Sequence, residues 1–211
     1  MTRTSAVPLR ARLENGNTPK ITGRWEIKSE TGPLKDVLLG PAESFRWMGL
    51  ENAAWSSLVR DTLRKGYKFD KQLAMRQHRE MVDAYNQAGV TSHFLPLDMT
   101  NPYQVYARDS SFMSPYGAVV CQLANPRRRG EYAAVLRFYL ENGIPIYDMV
   151  SAGNFEGGDF NILRDGLALV GYTDHRSEEV AAQQIAQWFI KEGWEIKFAP
   201  IDQFYVHIDL M

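Results

Sequence analysis

The sequence predicts an α/β protein built from small repeated units that form a ring around a central site. Three segments share one order of an amphipathic helix, a glycine and a strand, with the glycines at Gly89, Gly143 and Gly193. Their spacing of about 50 residues is typical of repeat architectures. Strand pairs between the helices complete the pattern, so each unit should contain two strands, a helix and a further strand. A helix in every unit excludes all-β propellers.

Apolar residues recur at helical spacing in three segments, which we predict to be helices over about 70–88, over about 131–142 and from about 177 onward. Each of the first two ends just before its glycine, where a left-handed residue closes a helix, and Gly193 follows the third. The residues expected to face inward are Ala74, Met81, Tyr85, Val135, Phe138, Tyr139, Ile185, Trp188 and Phe189.

The strands are marked by short apolar runs and turn residues. The runs at 160–163 and 167–171 flank Arg164-Asp165-Gly166, which predicts a hairpin. Residues 205–211 predict a strand that opens another unit, and we therefore expect the chain to be a fragment or one half of a split protein. Residues 1–23 are polar and lack periodicity, so we predict a flexible arm followed by a single incomplete domain over 24–211.

Composition excludes several classes of function. The net charge is −1, and the run Arg127-Arg128-Arg129 is too short for a nucleic-acid surface, so we interpret it as a solvated loop. No apolar stretch approaches the roughly 18 residues of a membrane span, and no signal peptide is visible. The single cysteine, Cys121, indicates a reducing compartment, so we predict a cytoplasmic protein.

Polar residues concentrate in three segments that recur with the repeat. These contain Asp109 in Arg-Asp, Glu156 in Glu-Gly-Gly-Asp, and His207 with Asp209 in His-x-Asp. Each segment alone has an ordinary interpretation: an ion pair, a tight turn and the rim of a strand. Because equivalent points of successive units face one centre, we instead expect the three carboxylates and the histidine to converge.

This set of side chains suits a guanidinium ligand. Two carboxylates can hold a planar guanidinium through paired hydrogen bonds, and a third can orient a histidine that acts as acid and base. Metal binding is the rival chemistry, but one histidine without His-x-x-x-His or Cys-x-x-Cys spacing does not support it. We therefore predict neither a metal nor another cofactor.

In this order and spacing, the three motifs resemble the superfamily of arginine deiminases, dimethylargininases and amidinotransferases. The resemblance covers roughly residues 24–211. It implies a five-unit α/β propeller, the pentein fold of ββαβ repeats, of which this chain would supply about four units. It also implies a cysteine nucleophile that attacks the guanidinium carbon, with the covalent intermediate then hydrolysed or passed to an amine.

The resemblance also implies roles for individual residues. Asp109 and Asp209 are similar to the carboxylates that grip the guanidinium. Glu156 is similar to the carboxylate beside the catalytic histidine, and His207 to that histidine. Arg128, in Arg-Arg-Gly-Glu, is similar to the arginine that binds the substrate's α-carboxylate, and Arg176 matches a further family arginine.

The nucleophile is where the sequence departs from this pattern. Cys121 lies in an apolar strand 12 residues after Asp109, so we expect a small buried thiol. The 211 residues alone should therefore be inactive.

The motifs leave the type of reaction open. Glu-Gly-Gly-Asp favours hydrolysis of arginine or a related guanidino compound, by a deiminase or dimethylargininase type of reaction. Transfer of the amidino group to an amine, or a non-catalytic role in binding guanidino compounds or proteins, are the alternatives. The expected partners are a small guanidino substrate and either a second copy or a complementing C-terminal chain.

Overall fold

The computed structural model describes residues 18–47, 57–173, 175–202 and 204–211. Residues 34–107 form one compact unit, and residues up to 33 together with 108–211 form a larger one. In the part of the chain that is described, no helix has the length and apolar character needed to cross a membrane.

The smaller unit is built around two parallel strands. Strand β1 is Asp36–Leu39 and strand β2 is Thr91–Phe94, and they pair in parallel. In the described residues between them lie two helices, α1 over Ser57–Arg64 and α2 over Lys71–Gln87. The Asp70 side chain caps α2 by accepting a hydrogen bond from the Leu73 amide at 2.9 Å, which explains where this helix begins.

One prediction for α2 is wrong. Met81 was expected to face inward, but it is 39% exposed, and the half-buried positions of the helix include Ala74, His78, Val82 and Tyr85. The helix has no fully buried residue, so it covers the strands only partly. The inward face of the helix is shifted from the predicted face by about one residue. The mixture of apolar and polar residues along this helix does not determine which face turns inward.

The larger unit contains two copies of the predicted repeat. After the short helix α3, Ala107–Ser110, the first copy runs from β3, Ser111–Ser114, through β4, Gly117–Val120, and α4, Tyr132–Glu141, to β5, Ile146–Met149. The second runs from β6, Phe160–Arg164, through β7, Leu167–Tyr172, and α5, Glu179–Lys191, to β8, Glu195–Pro200. In each copy the first two strands are antiparallel and the last two are parallel, so the ββαβ pattern is confirmed.

The core of the larger unit lies directly beneath the Glu-Gly-Gly-Asp turn. Phe155 and Phe160, which flank this turn, are both fully buried. The Phe160 ring stacks on Phe112 at 4.2 Å between ring centroids and packs against Phe189 at 4.8 Å. Two buried aromatic side chains therefore anchor both ends of the turn in the core.

The end of the chain differs from its prediction. Residues 205–211 were expected to form a strand, but Ile208–Leu210 form a turn of 3₁₀ helix. The amide of Ile208 donates to the carboxylate of Asp159 at 3.1 Å, and Met211 donates to the Ile208 carbonyl at the same distance. A side-chain acceptor and local hydrogen bonds thus replace the partners that a neighbouring strand would supply.

The predicted arm is described only in part. Residues 1–17 lie outside the described residues, so flexibility there stays a prediction. Residues 18–23 belong to the larger unit and bond to its later segments: the Thr18 amide donates to Glu192 at 3.0 Å, and the Ile21 amide donates to the Pro115 carbonyl at 2.6 Å. The predicted boundary at residue 23 therefore falls within a segment that packs on this unit.

Candidate active site

The larger unit brings the three predicted polar segments together. Asp109 lies in α3, Glu156 directly precedes the turn Gly157–Asp159, and His207 directly precedes Ile208–Leu210. These three residues are 8%, 1% and 4% exposed, and each has a polar side-chain atom within 4.8 Å of the other two. Their separation in sequence is thus closed by the fold into one buried cluster.

His207 and Glu156 form the central pair of this cluster. Nε2 of His207 lies 2.6 Å from Oε2 of Glu156, and Nη1 of Arg176 lies 2.7 Å from the same oxygen. Burial raises the pKa of Glu156, but the His207 hydrogen bond and the Arg176 and Arg128 charges outweigh it and lower the pKa to about 2. Burial alone would lower the pKa of His207. The hydrogen bond to Glu156 and the charges of Asp109 and Glu156 outweigh this effect, so the pKa of His207 lies above its ordinary value. The pair therefore favours an imidazolium facing a carboxylate.

Arg128 is held by two carboxylates. Its Nη1 donates to Oδ2 of Asp109 at 2.6 Å, and its Nε and Nη2 donate to the two oxygens of Glu131 at 2.8 and 2.9 Å. Arg128 is 5% exposed, while Arg127 and Arg129 on either side are exposed. The interpretation of this run as a solvated loop is therefore wrong for Arg128. The sequence reasoning also missed Glu131, which its spacing of three residues from Arg128 could have suggested.

Asp209 and the second oxygen of Asp109 face the other side of His207. Oδ1 of Asp109 and Oδ1 of Asp209 lie 3.9 and 4.0 Å from Nδ1 of His207, too far for direct hydrogen bonds. Asp209 is more accessible, with a side chain 25% exposed, and its Oδ2 lies 3.6 Å from Nε of Arg108. Burial raises the pKa of Asp209, although the His207 and Arg108 charges oppose this rise.

The chemistry of the cluster disfavours a metal ion. Asp109, Glu156 and His207 are close enough to share one. However, Asp109 pairs with Arg128 and Glu156 pairs with Arg176, so a metal ion would meet two fixed positive charges. The carboxylates already hydrogen-bond to planar guanidinium groups, so directed N–H contacts to a further guanidinium suit this cluster better than a shell of metal-ligand oxygens.

Cys121 directly follows β4 and belongs to the hydrophobic core of the larger unit. It is 4% exposed, and burial raises the pKa of its thiol well above the ordinary value. A thiol of this kind is a poor nucleophile because its thiolate is disfavoured. Its surroundings therefore agree with the buried structural thiol that the sequence predicts.

Acid should remove the stabilisation that the Glu156 pair provides. The pKa of Glu156 is about 2 in the folded chain and ordinarily 4.5, so its contribution is present above pH 4.5 and is lost as the pH falls from 4.5 towards 2. We expect Glu156→Gln to be less stable than the parent by about 3 kcal/mol at pH 7, with a much smaller difference near pH 2. Urea unfolding at both pH values measures this.

The matched control for that experiment is Glu195→Gln. Glu195 is exposed and pairs with Lys197 on the surface, so it should change stability little at either pH. A difference between Glu156→Gln and the parent that does not depend on pH would contradict an ionised Glu156.

Comparison with known proteins relates this chain to guanidino-modifying enzymes. Residues 47–206 match the family described as N,N dimethylarginine dimethylhydrolase, eukaryotic. A curated relative, the uncharacterized protein YkgA of Bacillus subtilis (strain 168), is 28% identical over 153 residues, which cover 72% of this chain and 51% of YkgA. The chain therefore spans about half the length of this relative.

Solved structures share its fold at low sequence identity. DDAH from Pseudomonas aeruginosa, a cysteine-to-serine mutant complexed with citrulline, has a TM-score of 0.62 and 18% identity, covering 83% of this chain and 67% of that one. SxtG, an amidinotransferase from Microseira wollei, has a TM-score of 0.65 and 15% identity, with 87% and 65% covered. The N-terminal domain of the cyanobacterial arginine dihydrolase ArgZ has a TM-score of 0.63 and 16% identity, with 80% and 59% covered. These likenesses confirm the predicted α/β fold class.

Proposed function

Since this chain belongs to the N,N dimethylarginine dimethylhydrolase family, we propose that its buried cluster binds the guanidinium group of arginine or a related compound and supports its hydrolysis. The observation that carries this proposal is the pairing within the cluster. Asp109 and Glu156 each hold the guanidinium of an arginine of the chain, at 2.6 and 2.7 Å. The site thus presents carboxylates at hydrogen-bonding distance to guanidinium groups, with the geometry that such groups require.

The substrate guanidinium would lie between Asp109 and Asp209. Oδ1 of each carboxylate faces Nδ1 of His207 across about 4 Å, which is the region where a ligand N–H could donate to both. Asp109 would keep Arg128 on its other oxygen, so that one carboxylate serves a resident and a bound guanidinium. Arg176 would keep Glu156 charged while Glu156 orients His207. The binding of a substrate α-carboxylate by Arg128 or Arg176 stays a prediction, because both guanidiniums are paired in this structure.

His207 would move the protons of the reaction. A thiolate forms a bond to the guanidinium carbon, and the protonated imidazole gives its proton to the amine as the carbon–nitrogen bond breaks. The neutral imidazole then takes a proton from water, whose oxygen attacks the same carbon, and the thiolate leaves to give a ureido product. Cys121, the one cysteine among the 211 residues, is buried, so this mechanism needs a thiol from elsewhere.

The first test separates binding from turnover. We expect the 211-residue chain to bind arginine, a methylated arginine or agmatine in a calorimeter and to release no ureido product. The reason is that the binding carboxylates are present, whereas the one thiol is buried and disfavours its thiolate.

Two outcomes would contradict parts of this proposal. Rapid formation of citrulline from arginine by the 211 residues would overturn the need for another thiol. Failure of all three compounds to bind would overturn the guanidinium site and leave a role in binding other partners. Amidino transfer is distinguished in a protein that carries the thiol, because an amine acceptor would then become amidinated.

Location and assembly complete the proposal. The single cysteine supports a cytoplasmic location. Five large apolar residues near the end of the chain are 45–69% exposed: Phe198, Phe204, Tyr205, Leu210 and Met211. Exposure of this kind supports association with a second copy or with a complementing chain.

A further inference from the structure

Asp159 is a buried carboxylate to which the proposed reaction assigns no role. It ends the Glu-Gly-Gly-Asp turn and is completely buried. Its Oδ1 accepts a hydrogen bond from the amide of Ile208, the residue directly after His207, at 3.1 Å. Its Oδ2 accepts a hydrogen bond from the hydroxyl of Ser177. One carboxylate therefore reaches the backbone of the segment that carries the histidine.

Ser177 extends this connection to Glu156. Its hydroxyl oxygen accepts a hydrogen bond from the Glu156 amide at 3.1 Å while its proton goes to Asp159. Its carbonyl accepts from the Thr173 amide at 2.7 Å, and the Thr173 hydroxyl accepts from the Arg176 amide at 3.1 Å. The backbones of Ile208 and Glu156 are thus joined through two buried side chains, Asp159 and Ser177, and Thr173 connects this link to the backbone of Arg176.

Two glycines provide the space for this arrangement. A Cβ atom on Gly171 would lie 2.7 Å from Oδ1 of Asp159 and 2.7 Å from a methyl carbon of Ile208. A Cβ atom on Gly158 would lie 2.7 Å from Nδ1 of His207. A side chain at either position would force these neighbouring side-chain atoms to shift, so the two glycines allow the close approach of the turn and the His207 segment.

We propose that Asp159 and Ser177 are a positioning pair, which holds the backbones of His207 and Glu156 at the separation where their side chains form the acid–base pair. The catalytic meaning of this inference rests on the proposed function, but the geometry it describes does not. The pair touches neither the reacting atoms nor a bound guanidinium. It acts through the 2.6 Å contact between His207 and Glu156.

Loss of the Ser177 hydroxyl should change the ionisation of His207. It would leave Oδ2 of Asp159 and the Glu156 amide without this partner, so the two segments would be less tightly tied. Four carboxylates face His207 and favour its charged form, namely Glu156, Asp109 and Asp159 from elements packed against it and Asp209 from its own. A looser hydrogen bond to Glu156 weakens the contact that raises the pKa of His207 most. Loss of the Ser177 donor also raises the pKa of Asp159, which burial already raises to about 6. Both changes lower the pKa of His207.

The test is an NMR titration of the histidines in the intact 211-residue chain. We expect Ser177→Ala to lower the pKa of His207 by about half a unit or more. Ser114→Ala is the matched control, because Ser114 is also fully buried, donates to the Gly117 carbonyl at 2.7 Å and accepts from the Tyr116 amide at 3.2 Å. A folded Ser177→Ala chain in which His207 titrates as in Ser114→Ala would overturn the proposal.

A second measurement needs no substitution and covers a variant that fails to fold. The chemical shifts of the Asp159 carboxyl carbon and the Ile208 amide are followed as the pH falls through 6. The amide should move with the titration of the carboxyl, because protonation weakens its acceptor. An Ile208 amide that does not respond would overturn the link between Asp159 and the His207 segment. Both NMR measurements are made without a substrate. Binding of guanidino compounds is measured separately on the same chain and tests the proposed function.

Discussion

Replacing Arg128 with methionine is expected to lower the free energy of unfolding by about 3–5 kcal/mol, because the change strands two buried carboxylates. Arg128 donates to Asp109 and to both oxygens of Glu131, and Glu131 is 1% exposed. Burial raises the pKa of Glu131, and the bonds and charge of Arg128 counteract this rise. Methionine fills much of the volume but cannot donate, so the loss measures the missing charge and hydrogen bonds. Urea unfolding at pH 7 gives the value.

The control for this substitution is next to it in the chain. Arg127→Met removes the same charge from an exposed position and should change stability by less than about 0.5 kcal/mol. Equal losses in the two variants would show that Arg128 is not the structural ion-pair partner that the geometry indicates. Arg128 would then be available for the predicted role at the substrate α-carboxylate.

The repeat and the cluster follow from patterns that the sequence shows directly. Helical spacing and the glycines at 89, 143 and 193 predict the long helices, because helix formation and helix ends depend on residues that are close together in the sequence. These glycines have φ values of 76°, 64° and 82°, the left-handed conformation expected after a helix. The shared period also predicts that Asp109, Glu156 and His207 meet, since equivalent positions in repeated units have equivalent places.

The features that the sequence did not predict depend on single contacts between distant residues. The last segment is a 3₁₀ turn because Asp159 accepts the Ile208 amide from 49 residues away. Arg128 is buried because Asp109 and Glu131 meet it, although its neighbours in the same basic run are exposed. Neither periodicity nor composition identifies the hydrogen-bond partner of a particular polar group. In both cases that partner determines the local structure.

The largest kinetic effect is expected at His207, in a protein that carries the thiol nucleophile. His207→Ala should reduce turnover by about 100- to 10,000-fold, because this is the range that general acid–base catalysis contributes. Binding of the guanidino compound to the 211-residue chain should change little, since His207 makes no direct hydrogen bond to the two carboxylate oxygens that would hold the ligand, which lie 3.9 and 4.0 Å from its Nδ1. Turnover and calorimetric binding are therefore measured on the same variant.

Asp209→Asn is the variant to compare with it. Asp109 is unsuitable, because its replacement would also deprive buried Arg128 of a partner and confuse binding with folding. Asp209 is more exposed, and its nearest cationic atom, Nε of Arg108, is 3.6 Å away, so its loss should leave the fold intact. We expect binding to weaken by about 1.5–3 kcal/mol, because one charge-assisted contact to the guanidinium is lost.

If Asp209→Asn binds arginine, methylated arginine and agmatine as tightly as the parent, the carboxylate clamp is wrong. If His207→Ala instead loses binding and keeps its turnover at saturation, the histidine holds the ligand and the acid–base role belongs to another group.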